Sequence, residues 1–137
     1  MRYSKYVLFS VIVPLLFVAY AGGAERKEFT ASVDKDGVQR VEILGGSYFF
    51  NPNYIIVKVN VPVELKIRKE SGVTPHDFIL QAPEAGMNIK ADLGTDATII
   101  VFTPTKIGTY PFYCDKKLPF VASHKEKGME GVLEVRE

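Results

Sequence analysis

The stretch VELKIR at positions 63–68 alternates apolar and charged side chains without a break. This period of two is typical of a β-strand that has one face on a core and the other in water. Positions 54–59 (YIIVKV) repeat the pattern, with Ile55, Val57 and Val59 on one side. The sequence therefore predicts strands that each cover one side of a core.

Further segments have the composition of strands. Positions 97–102 are rich in β-branched residues, positions 108–114 are aromatic, and positions 131–135 end in a short apolar run. Glycine, proline and asparagine clusters separate the segments, whereas positions 82–90 are expected to hold no more than a helical turn. About seven or eight short strands with such turns predict an all-β fold, an antiparallel β-sandwich.

Length and composition restrict the possible functions. The 137 residues fit one domain, and a formal net charge of +1 argues against a nucleic-acid partner, which requires a strongly basic domain. One cysteine and two histidines exclude an internal disulfide framework and a multi-cysteine metal cluster. Any metal chemistry must therefore come from a handful of residues.

The amino-terminal segment differs from the rest of the chain. Basic residues precede an uncharged stretch at positions 6–24 that ends in small residues, as in a secretory signal. We expect residues 1–24 to be a signal peptide and residues 25–137 to be a single domain in the periplasm or another extracytoplasmic space. An uncleaved anchor at positions 6–24 is the alternative, and only then is a membrane partner expected.

The aromatic stretch GTYPFYC at positions 108–114 places Cys114 on the same strand face as Tyr110 and Phe112. The thiol is therefore expected to be buried. Alone, a cysteine of this kind is more often a core residue than a ligand. Side chains that bind soft metals occur at three further positions, however, which makes a shared metal site the favoured interpretation. The four candidate ligands are His76, Cys114, His124 and Met129.

The chemistry of this donor set favours copper. A thiolate and two imidazoles can form a trigonal plane around the ion, with a thioether as a distant axial ligand. Zinc could occupy the same positions, but copper binds such donors more tightly in the Irving–Williams order. Because the set leaves no open position for a substrate, it suits one-electron exchange and does not require an enzyme.

The motifs at positions 38–137 resemble those of the cupredoxins, the blue-copper family and its relatives. The resemblance rests on Phe50-Asn51-Pro52, on His76-Asp77-Phe78, on the GxYxFxC pattern that ends at Cys114, and on His124 followed by Met129. It implies a Greek-key sandwich that carries single electrons between redox partners. It also implies one type 1-like copper ion, with His76, Cys114 and His124 as strong ligands and Met129 as the weak axial ligand.

Two departures from the family pattern affect the site. Nine residues separate Cys114 from His124, so this loop must fold back if the imidazole is to reach the metal. Asp77 follows the first histidine where family members often have asparagine. A charge on Asp77 near the thiolate would favour Cu(II) and lower the reduction potential.

The loop also suggests a partner. Lysines surround an apolar stretch at positions 118–121, which is typical either of a transient docking face or of a simple cap on the sandwich. The expected partner is a redox protein such as a c-type cytochrome or a membrane oxidase. Two alternatives remain for the whole chain: a copper delivery or storage module, and a metal-free accessory subunit of a membrane oxidase or uptake system. The lysines are Lys116, Lys117, Lys125 and Lys127.

Overall fold

The computed structural model describes residues 24–137, which form a sandwich of two β-sheets. The predicted signal peptide at residues 1–24 and the alternative anchor at residues 6–24 lie outside the described residues, apart from Ala24. Within the described part of the chain, no helix is long and apolar enough to cross a membrane.

Ten strands make up the described sandwich. One sheet has six strands in the order β1-β4-β10-β9-β6-β7, and the other has four in the order β3-β2-β5-β8. The strands are β1 (Glu28–Thr30), β2 (Gln39–Gly46), β3 (Phe49–Asn51), β4 (Tyr54–Lys58), β5 (Val63–Lys69), β6 (His76–Ala82), β7 (Met87–Leu93), β8 (Thr98–Phe102), β9 (Gly108–Tyr113) and β10 (Glu130–Arg136).

The predicted all-β sandwich is confirmed, but its sheets are mixed rather than purely antiparallel. Strand β4 pairs in parallel with both β1 and β10, and β2 pairs in parallel with β5. Parallel neighbours need a crossover connection, and here the intervening chain crosses between the two sheets. The alternation of side chains does not reveal this direction, because it is the same in both kinds of pairing.

The segment at positions 82–90 differs from the prediction. A short 3-10 turn, Pro83–Ala85, is followed directly by strand β7, which pairs with β6 along its length. The alternation of Met87, Ile89 and Ala91 with polar residues was the available signal for this strand. The helical turn is therefore present, but it is only the beginning of the segment.

The apolar side chains of strand β5 face the core, and its charged side chains face the solvent. Val63, Leu65 and Ile67 are at most 1% exposed, while Lys66 between them is exposed.

The three most buried phenylalanines pack as a cluster with ring centroids 5.1 to 5.8 Å apart. These rings support the end of the sandwich at which β6 begins and β9 ends. They are Phe50, Phe78 and Phe112.

Gly131 on β10 lies in close contact with the aromatic cluster. It lies opposite Phe112 in the β9–β10 register. A Cβ atom at Gly131 would lie 2.3 Å from Cζ of Phe112 and 2.5 Å from the backbone oxygen of Asn53. The absence of a side chain at Gly131 is therefore what leaves room for the Phe112 ring beside the neighbouring strand.

We expect Gly131→Ala to lower the free energy of unfolding by about 1–3 kcal/mol, because the added methyl group overpacks the core against a backbone oxygen that cannot move freely. Urea denaturation of the metal-free protein measures the change. Gly94→Ala is the control, since its Cβ would meet no atom closer than 3.6 Å. Equal losses in the two variants would contradict the packing argument.

Candidate metal centre

Cys114 lies immediately after β9 and is fully buried, as the aromatic alternation predicted. Its Sγ accepts a hydrogen bond from the backbone N–H of Asp77, at 3.4 Å. Its own N–H donates to the backbone oxygen of Met129, at 3.1 Å. The sulfur is thus held between the beginning of β6 and the residue that precedes β10.

Three of the four candidate ligands meet at this point. Sγ of Cys114 lies 3.5 Å from Nδ1 of His124 and 3.9 Å from Nδ1 of His76, and the two Nδ1 atoms are 3.1 Å apart. Each histidine is only 5% exposed. Both rings present the same nitrogen to the sulfur, so the three donor atoms form a compact triangle at one end of the sandwich.

The loop between Cys114 and His124 does fold back. The N–H of His124 donates to the backbone oxygen of Lys116 at 2.9 Å, and its own backbone oxygen accepts from the N–H of Met129 at 2.9 Å. Ser123 and Glu126 brace the turn reciprocally, because Glu126 accepts from the N–H and hydroxyl of Ser123 and donates its N–H to that hydroxyl. These bonds bring the imidazole to the sulfur despite the length of the loop.

Met129 is fully buried in the same loop. Its backbone bonds to both Cys114 and His124, and its methyl carbon packs against Gly45 on strand β2, where an added Cβ would lie 3.3 Å away. The backbone therefore holds Met129 beside the other candidate ligands. Axial ligation by its thioether stays a prediction.

The spacing of the donor atoms fits one ion. Three donors bound at about 2.1 Å and spread in a plane would be about 3.6 Å apart, within the range of the observed separations. A soft sulfur donor with two imidazoles and a nearby thioether is the combination that copper prefers. The residues present therefore fit a copper ion, and no rearrangement of the backbone is needed to gather them.

Burial keeps the metal-free cluster uncharged at neutral pH. It raises the pKa of the Cys114 thiol to about 11. It also lowers the pKa of both His76 and His124, and the neighbouring His124 lowers that of His76 further. The two close imidazoles can then coexist without repulsion, and binding of a metal must release the thiol proton.

Asp77 links the strands that carry His76 and Cys114. Its Oδ1 accepts a hydrogen bond from the N–H of Asp115 at 2.9 Å, and burial raises the pKa of this carboxyl. Its Oδ2 is buried without a hydrogen-bond partner among the described residues. The nearest cation is Lys116, whose Nζ is 3.9 Å from Oδ2 but only 2.7 Å from Asp92. No local sequence pattern indicates this network, because it joins Asp77, Lys116 and Asp92 from three separate segments of the chain.

The family model described as a cupredoxin-like domain matches residues 10–132, a range that includes all four candidate ligands. The chain belongs to the cupredoxin-like family. The resemblance seen in the motifs is thereby confirmed. No curated protein is significantly similar to this cupredoxin-like chain in sequence.

Solved structures share the cupredoxin-like fold. The metal-binding domain of the Cu(I)-exporting P-type ATPase CopA of Streptococcus pneumoniae D39 aligns with a TM-score of 0.63 and 19% identity, covering 82% of this chain and 99% of that one. Reduced auracyanin of Roseiflexus castenholzii gives 0.58 and 21%, covering 78% and 99%. The periplasmic domain of cytochrome oxidase subunit II (CoxB) of Bradyrhizobium japonicum gives 0.54 and 17%, covering 77% and 88%. At these identities the likeness extends to the fold alone.

We expect Asp77→Ala to destabilise the metal-free protein by about 0.5–1.5 kcal/mol, because the hydrogen bond between the buried Asp77 side chain and the backbone N–H of Asp115 is lost. Asp77→Asn should cost less, since the amide keeps an acceptor oxygen and removes the buried acidic group. Urea unfolding at neutral pH measures both changes. If Asp77→Asn were as damaging as Asp77→Ala, the hydrogen bond would not be the link between the strands.

Proposed function

We propose that this cupredoxin-like chain is a mononuclear copper protein that carries single electrons between redox partners. His76, Cys114 and His124 would be the strong ligands, and Met129 the weak axial ligand. The convergence of three buried donor atoms on one point is the observation that supports the proposal most directly. A bound copper ion would supply the redox chemistry by alternating between Cu(II) and Cu(I).

The chain's own residues suit electron transfer better than catalysis. Cys114 is fully buried and the two histidines nearly so, which leaves little room for a substrate beside the donor atoms. The sulfur and His76 are attached to paired strands, and His124 is fixed by backbone hydrogen bonds on both sides. Such a stiff arrangement resists the change in geometry that copper otherwise undergoes between its oxidation states, so exchange can be fast.

The proposal includes export of the chain from the cytoplasm. The predicted signal peptide at residues 1–24 would place the chain in the periplasm or an equivalent space, with a c-type cytochrome or a membrane oxidase as partner. A single free thiol tends to be oxidised in an oxidising compartment. Ligation of copper would give Cys114 a function there and would protect its sulfur from oxidation. The alternative anchor at residues 6–24 would keep the same site beside the membrane.

Addition of Cu(II) to the metal-free protein is expected to produce an intense visible band from thiolate-to-copper charge transfer, which Cys114→Ser abolishes. Absorption spectroscopy with a parallel copper titration measures this, and circular dichroism establishes that the variant is folded. Weak colour with rapid copper exchange would instead favour delivery or storage. Absence of tight copper binding would favour the metal-free accessory subunit.

Met129→Leu should retain the band but raise the reduction potential, because loss of the axial thioether leaves a lower coordination number that favours Cu(I). Voltammetry of the copper-loaded protein measures the potential. Met87→Leu is the matched control, since Met87 is equally buried but belongs to β7. Equal potentials in the two variants would contradict axial ligation.

An apolar rim lies next to the site, formed by Val73, Leu118, Phe120 and Val121. Phe120 and Val73 are fully exposed, and a cavity of about 270 Å³ between the two sides of the rim is lined in part by His124. The rim would give a partner a short path to the imidazole. This arrangement supports the docking interpretation of the lysine-rich loop over a simple cap.

The four lysines of the loop are not equivalent. Lys116 is engaged with Asp92, while Lys125 and Lys127 each lie 4.4 Å above a tyrosine ring. Lys117 is exposed and lines the cavity beside the rim. We therefore assign the steering of an acidic partner chiefly to Lys117.

Lys117→Glu is expected to slow electron exchange with an acidic c-type cytochrome several-fold at low salt, and to have little effect near 1 M salt, where the Debye length is about 3 Å. Stopped-flow absorption of the copper-loaded protein measures the rate. Lys58→Glu makes the same charge change at the opposite end of the sandwich, where β4 ends beside Arg136. An equal slowing by both variants would show that net charge, and not the rim, guides the encounter.

A further inference from the structure

The two sheets have four edges, and three of them are protected. Strands β1 and β3 contain only three residues each. Edge strand β7 is longer, but it exposes Lys90 and Asp92. Short length and outward charges are the usual means by which proteins prevent edge strands from pairing with other chains.

Strand β8 is the exception. Its five residues, TIIVF, include no charge, proline or glycine. It pairs with β5 on one side, and on the other side it has no strand partner among residues 24–137. Its outward side chains are apolar, with Ile99 52% exposed and Val101 65% exposed. An open edge of this kind is a template for a further strand.

We infer that β8 is a self-association edge, to which a second copy of this chain adds its own β8 in antiparallel orientation about a twofold axis through Ile100. The two four-stranded sheets would then become one continuous sheet of eight strands. This inference does not depend on the proposed copper chemistry.

The sequence of β8 is self-complementary in this register. With Ile100 on the axis, Ile99 lies opposite Val101 of the second copy, and Val101 lies opposite Ile99 of the second copy. The four exposed side chains then cover one another on the outer face of the sheet. Cross-strand pairs of β-branched residues are among those that stabilise antiparallel sheets.

The charges beside β8 are compatible with the same register. On the outer face, Lys66 is the neighbour of Ile99 across the β5–β8 ladder, and Glu64 is the neighbour of Val101. Each row across the joined sheets would therefore read Lys, Ile, Val, Glu. The register therefore places no like charges opposite each other, and within each copy Lys66 keeps its ion pair with Glu42 and Glu64 its ion pair with Arg40.

The association should be weak and independent of the metal centre. A five-residue edge is much smaller than the 20–30 residues per side, roughly, of a stable interface, so a reversible dimer is expected at high concentration. His76 and Cys114 belong to the six-stranded sheet or directly follow it, whereas β8 belongs to the four-stranded one. Both ends of the sandwich would remain free for partners.

Sedimentation velocity of the metal-free full chain in mild detergent tests the inference, at concentrations from about 10 μM to 1 mM, where weak complexes become populated. Val101→Lys, which places a charge on the edge at an exposed position, is expected to abolish the concentration-dependent dimer. Val73→Lys is the matched control, because it makes the same change on the apolar rim and should leave the dimer intact.

Amide hydrogen exchange of the unaltered protein locates the contact without any variant. Protection of the β8 amides should rise with concentration, while that of the β7 edge stays constant. A chain that remains monomeric at every concentration, with unchanged β8 exchange, would overturn the inference. So would dimers that persist in Val101→Lys, or that disappear equally in Val73→Lys.

Discussion

The adjacency of β6, β9 and β10 is the constraint on which the site depends. Because β9 runs antiparallel to both neighbours, the end of β9 lies beside the beginnings of β6 and β10. His76 begins β6, Cys114 follows β9, and Met129 immediately precedes β10. Residues far apart in the chain are therefore gathered by the hydrogen-bond ladders themselves, and only His124 has to be delivered by a loop.

The same packing that gathers the donor atoms also sets their electrostatics. In the metal-free state burial favours a protonated thiol and neutral imidazoles. The three side chains can therefore be buried together without adding a net charge to the interior. The buried carboxyl of Asp77 lies next to the residues that carry the donor atoms, and Nζ of Lys116 lies 3.9 Å from it. Its expected influence on the reduction potential therefore depends on Lys116, one of the lysines for which the sequence left both a docking role and a simple capping role open.

Much of the fold was predictable, because alternation of apolar and polar residues follows directly from the geometry of a half-buried strand. Alternation identified β4 and β5 at nearly their observed bounds, and β-branched composition identified β8. The prediction for positions 82–90 was wrong beyond the 3-10 turn, because the alternation from Met87 onward belongs to strand β7. The alternation also cannot predict whether two strands pair in parallel or antiparallel, since both kinds of strand have the same period of two.

The sequence by itself determined which residues could bind a soft metal, because a chain with one cysteine and two histidines offers few combinations of donor atoms. Only the tertiary structure decided that His76, Cys114 and His124 lie within about 4 Å of one another. The tertiary structure alone also showed that Lys116 pairs with Asp92 on β7, and that β8 has no second strand partner within residues 24–137. The physical reason is that such proximities depend on contacts between distant segments, which local patterns do not encode.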